Sequence, residues 1–141
     1  MRGHTLSMMA LLLLSLFSAG VARADGWPAS VAGTWSVIGN QSPGTLSMTR
    51  FPGLAGSQCK PIRGTIYTTD NVEGFYCPNS GRISFVRYVG TSTNPRQFWS
   101  GNLSQTGQTL RIGGLVAVVV HDNTQGTVGG SLGEYNFQAS M

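Results

Sequence analysis

The stretch FWSGNLS, residues 98–104, sets a tryptophan two positions after Gln97 and two before Gly101. Residues two apart on a strand share a face, so Gln97, Trp99, Gly101 and Leu103 point one way and Phe98 the other. An indole beside a carboxamide can wall a small-molecule pocket, the ring burying apolar surface while the amide meets a polar atom. A tryptophan plugging a dry core is the alternative, but a dry core would favour an apolar residue at Gln97. Other reactive side chains are sparse. His121 is the sole histidine after residue 24, and its neighbour Asp122 would face the opposite side of a strand. No carboxylate pair falls within a strand period and no serine sits in a nucleophile elbow, so the residues point to a binding protein and not an enzyme. Cys59 and Cys77 lack Cys-x-x-Cys spacing, which argues against a metal and for one disulfide. No cofactor is expected.

The disulfide depends on compartment, and the amino terminus supplies one. Arg2 and His4 precede the apolar run MMALLLLSLF, which ends in small residues and the A-x-A pattern Ala22-Arg23-Ala24. Residues 1–24 are expected to be a secretory signal peptide, sending the chain to an extracellular or periplasmic space where cysteines oxidise. The run is far shorter than the roughly 20 apolar residues that cross a bilayer. Residues 25–141 are expected to form a single domain, for which seven basic residues against five acids leave a balance of about +2. That is too weak and too scattered for nucleic acid or an anionic membrane. Each arginine reads as a solvated surface charge.

The elements that must carry these residues are strands. Glycine, serine and threonine are abundant, and short apolar-polar alternations are separated by turn residues. Eight strands are predicted, at about 31–39, 44–51, 61–69, 72–77, 82–90, 96–104, 109–120 and 133–140. The separators include Asn40-Gln41-Ser42-Pro43-Gly44, Asp70-Asn71, Pro78-Asn79-Ser80-Gly81 and Ser92-Thr93-Asn94-Pro95. Eight sequential strands with short links predict an all-β fold, an eight-stranded antiparallel up-and-down barrel whose closure removes unpaired edges. Its interior would just hold side chains or one small ligand. A Greek-key sandwich fits the same strand count. Trp35 is expected to seal the closed end, and Trp27 to be at most loosely docked near the new terminus.

The seventh strand breaks the alternation, because Leu115-Val116-Ala117-Val118-Val119-Val120 is apolar throughout. Such a strand is covered on both faces. The cover is expected to be a second copy of the chain, making a homo-oligomer, or else the glycine-rich segment 123–133.

Taken in order, the motifs resemble those of the avidin and streptavidin family. Gly33-Thr34-Trp35 opens the first strand, Arg63-Gly64-Thr65-Ile66-Tyr67 is similar to the family's G-T-Y third strand, and Ile83-Ser84-Phe85 lies in the fifth. Trp99-Ser100-Gly101 matches its W-[ST]-G, and Gly133-Glu134-Tyr135-Asn136-Phe137 resembles its eighth strand. The resemblance implies a secreted calycin-type barrel, often oligomeric, that binds biotin in its open end. It places Trp99 on a pocket wall, Gln97 where the family keeps a polar side chain near the ligand's sulfur, Thr68 at an expected hydroxyl, Tyr88 at the fifth-strand aromatic and Ser42 at the turn serine. Four positions depart from the family. Val37 stands for an asparagine, Ile66 for a tyrosine, Val116 for a tryptophan and Tyr135 for an aspartate, where its hydroxyl is expected to return one ligand hydrogen bond. Biotin binding weaker than the family's best, or a related small ligand, is therefore expected. The alternative is a secreted interaction or inhibitor protein acting through its loops, with no small ligand. Asn102-Leu103-Ser104 is a glycosylation sequon wherever the host glycosylates.

Overall fold

The computed structural model describes residues 26–53, 55–89, 97–119 and 133–141. The proposed signal peptide, Val120, His121, Asp122 and the glycine-rich segment before Gly133 lie outside the described residues. The described residues hold eight strands: β1 Gly33–Gly39, β2 Ser42–Arg50, β3 Lys60–Ile66, β4 Asp70–Cys77, β5 Arg82–Tyr88, β6 Gln97–Thr106, β7 Thr109–Val118 and β8 Gly133–Ser140. Each pairs antiparallel with the next, and β8 returns to β1, closing a barrel. The sandwich alternative is thereby excluded.

Alternation fixes what fills it. Along β1, Trp35 and Val37 are buried while Thr34, Ser36 and Ile38 are exposed. Along β6, Gln97, Trp99, Gly101 and Leu103 are buried and Phe98 is exposed, as the period-two reading requires.

The β1–β2 hairpin is tighter than its turn composition suggests. Gly39 pairs with Ser42 across a two-residue loop, Asn40-Gln41, with left-handed φ of 46° and 68°. That handedness matches the twist of the flanking strands. Ser42 and Pro43 therefore belong to the strand rather than to the loop.

The end crossed by residues 26–31 is sealed. Trp35 is wholly buried and its indole N–H donates to the Val31 carbonyl at 3.0 Å. The segment before β1 straps this end down: the Tyr76 hydroxyl donates to the Pro28 carbonyl at 2.7 Å and Lys60 Nζ to that of Ala29 at 3.0 Å. Trp27 belongs to the same strap. It packs on the core, and its indole lies so close over Gly81 that a Cβ there would come within 2.6 Å. The expectation of a loosely docked terminus missed this glycine seat. Cys59 and Cys77, 18 positions apart, form the disulfide. They flank the Lys60–Tyr76 pair at the end of the β3–β4 ladder. A cross-link closing a loop of this size stabilises by about 3 kcal/mol.

Candidate functional site

The opposite end holds a cavity of about 360 Å³, within the range of small-molecule sites. The ends of β1, β5 and β7, the starts of β2, β6 and β8, and Tyr67 just past β3 contribute its lining. Of the six residues marked out by sequence, Trp99, Gln97, Tyr135 and Ser42 line it. Thr68 and Tyr88 do not. Thr68 is exposed in the β3–β4 turn, where its hydroxyl donates to the Tyr67 carbonyl. Tyr88 sits one step past Arg87, and alternation sets it on the outer face of β5. The departures from the family pattern divide too: Val116 lines the cavity with Tyr135, whereas Val37 and Ile66 are packed into the core.

Trp99 is both core and wall. Only 2% of it is exposed, yet it borders the cavity. Its ring stacks on Phe85 at 5.5 Å between centroids and meets Phe137 edge-on at 4.9 Å. Such pairs add about 0.5–1.5 kcal/mol beyond area burial and hold the ring in one orientation.

Two lining residues escaped the sequence reading. The first is Arg87, which points inward with Ile83 and Phe85 and is only 16% exposed at its side chain, not a solvated surface charge. Its Nε donates to Asp70 Oδ2 at 2.9 Å, Nη2 donates to the same oxygen, and Nη1 donates to Gln97 Oε1 at 3.0 Å. Asp70, read from sequence as a turn residue, opens β4 and is buried. The inward period along β5 is the signal that could have found Arg87, since Ile83 and Phe85 share its face.

The second is Tyr67. By strand alternation it should oppose buried Ile66 and face outward, but φ is 52° at Tyr67 and 76° at Thr68. The left-handed turn swings the ring back over the mouth, at a cost of order 1–3 kcal/mol for such residues. The Arg87 guanidinium lies 4.5 Å from its ring centroid and Trp99 meets it edge-on at 6.5 Å. Its hydroxyl donates to the Ser42 carbonyl at 3.4 Å. Burial lifts its pKa above the usual 10, against the opposing pull of Arg87 and a hydrogen bond from the Gly39 backbone. The phenol is therefore neutral at physiological pH. Nothing in the alternation pattern announces this residue, because the reversal comes from backbone handedness.

The site has the groups a small-molecule pocket uses. Its walls are aromatic and aliphatic, its one charge is paired, and among the described residues no cluster of His, Cys, Asp and Glu could hold a metal. The chain matches no protein-family model and no curated protein.

The outer wall of β7 carries apolar side chains that the described residues leave open. Leu115 is 48% exposed and Ala117 half-buried, so among the described residues nothing covers the outer face of β7 at Leu115. Across the register, Phe98 sits between Val86 and Ala117, and Ser100 between Ser84 and Leu115. Phe75 pairs with Ser84, extending the exposed apolar patch onto β4.

Proposed function

We propose that this protein is a secreted binder of a small, largely apolar molecule carrying a polar head, with biotin or a close relative as the first ligand to test. What carries the reading is the cavity in the barrel's end, walled by Trp99, Tyr67, Tyr135 and Val116 and furnished with Gln97 and Arg87. A pocket that joins aromatic walls to a few fixed polar groups suits such ligands. The avidin-like order of motifs supports biotin in particular. Against tight biotin binding stand the aliphatic residues at three of the family's ligand positions, so the affinity is expected to fall below that of the family's best binders.

The test is a thermal-shift and tryptophan-fluorescence titration of residues 25–141 with biotin. Binding at a hundred times the dissociation constant raises stability by about 2.7 kcal/mol, and Trp99→Ala should abolish the shift. No shift at millimolar biotin would sink biotin as the ligand, and an unchanged response in Trp99→Ala would remove Trp99 from the site.

The exposed patch supports the second element of the reading, a homo-oligomer in which another copy covers the outer face from β4 to β7. Three large apolar residues, Phe75, Phe98 and Leu115, stand about half exposed around small serines. Contiguous apolar surface of this kind marks interaction sites. Leu115→Arg should convert the oligomer to monomer in sedimentation velocity, and a wild-type chain that sediments as monomer at all concentrations refutes it.

A further inference from the structure

We infer that the ligand of this cavity presents a neutral carbonyl oxygen, of an amide, lactam or cyclic urea, to the side-chain nitrogen of Gln97. The inference rests on the small-molecule reading above and specifies the chemistry at one wall of the same site. Gln97 Oε1 accepts two hydrogen bonds, from Arg87 Nη1 at 3.0 Å and from Trp99 Nε1 at 3.2 Å. Guanidinium and indole nitrogens can only donate, so the atom between them must be the amide oxygen and the orientation of the amide is settled. The other end of the amide is then Nε2, with two N–H groups. Gln97 is 7% exposed and lines the cavity, and among the described residues its Nε2 makes no hydrogen bond. Buried polar groups are matched almost without exception, and an unmatched one is costly to fold around. A carbonyl oxygen has two lone pairs with which to accept these donors.

Arg87 adds to the same demand. Three of its five N–H groups go to Asp70 and Gln97, and the remaining two also offer only donors. The wall formed by Gln97 and Arg87 therefore asks for an acceptor. A thioether sulfur, which the avidin resemblance would set near Gln97, is a weak acceptor and would leave these donors poorly satisfied. A carboxylate would meet the opposite problem. Asp70 already neutralises Arg87, and a second anion on that guanidinium would lie close to the Asp70 charge where water screens it little.

The test uses three ring compounds of similar size, 2-imidazolidinone, 2-pyrrolidinone and cyclopentanecarboxylate, with biotin beside them. Binding is read by saturation-transfer NMR and Trp99 fluorescence in the wild type and in Gln97→Glu. The glutamate keeps an oxygen for Arg87 and Trp99 and replaces the N–H donors by a second acceptor. The two neutral carbonyl rings should bind the wild type and lose about tenfold or more in affinity in Gln97→Glu, whose folding is checked by circular dichroism. Equal binding by Gln97→Glu overturns the inference, as does tighter binding of the carboxylate. Biotin binding without binding of either neutral ring overturns it while leaving the ligand-binding reading intact. Failure of every compound, biotin included, overturns both.

Discussion

The two ends of the barrel are built from the same alternation and serve opposite ends. At the sealed end Trp35 has its one polar atom matched by the Val31 carbonyl, and the strap of residues 27–31 caps the interior. At the other end Trp99 is equally buried, but its N–H is spent on a glutamine whose own nitrogen is left facing a cavity. Burial alone does not separate structure from site. The difference lies in whether the hydrogen-bond accounting closes within the protein.

The largest expected effect tests that contrast directly. Trp35→Ala should cost about 3–5 kcal/mol in urea unfolding, as large-to-small changes in a closed core do. Trp99→Ala should cost less, since its cavity joins one that is already there and open to water. Equal losses at the two tryptophans would erase the distinction between the ends.

A smaller effect is expected from the ion pairs, one inside and one outside. Asp70→Asn leaves the Arg87 guanidinium buried without a counter-charge and should destabilise by about 3 kcal/mol. Arg63 and Glu73 are both about half exposed, at 57% and 51%, and Glu73→Gln should change stability by less than about 0.5 kcal/mol. Denaturant curves on the two variants give the comparison.

The smallest effect is in alkaline titration. Tyr67 and Tyr76 both have pKa values raised by burial, so the folded state holds their protons more tightly than the unfolded chain does. Their contribution is therefore intact below pH 10 and is lost as pH rises through the raised values. Tyr67→Phe should flatten part of the fall in melting temperature above pH 10. An unchanged slope would mean that the mouth tyrosine titrates like a free phenol.

The barrel was legible in the sequence because burial on one face leaves a period of two in several strands, and turn residues mark the links. Trp99 and Gln97 were legible for the same reason, as their spacing placed them together on the inner face. Tyr67 was not, since a left-handed backbone reverses the face that spacing assigns. Arg87 and Asp70 were hidden differently: each charge is normally exposed, and only their mutual pairing, which joins β4 to β5, permits burial. Tyr88 and Thr68 were chosen by resemblance and stand one position away from Arg87 and Tyr67, the residues that do border the cavity. On the outer wall the unbroken apolar run marks a face that the described residues leave open at Leu115, as a strand awaiting a second copy would be.

The glycines beneath Tyr67 give the mouth an adjustable dimension. A Cβ at Gly44 would stand 2.3 Å from the tyrosine ring, and one at Gly39 would stand 2.6 Å from its hydroxyl and from the edge of Trp99. Gly44 is not part of the cavity's lining. A single methyl placed there would nonetheless push the aromatic wall inward. The size of molecule admitted can thus drift through a residue that the molecule never touches, a route by which related barrels could change diet without altering their contact surface.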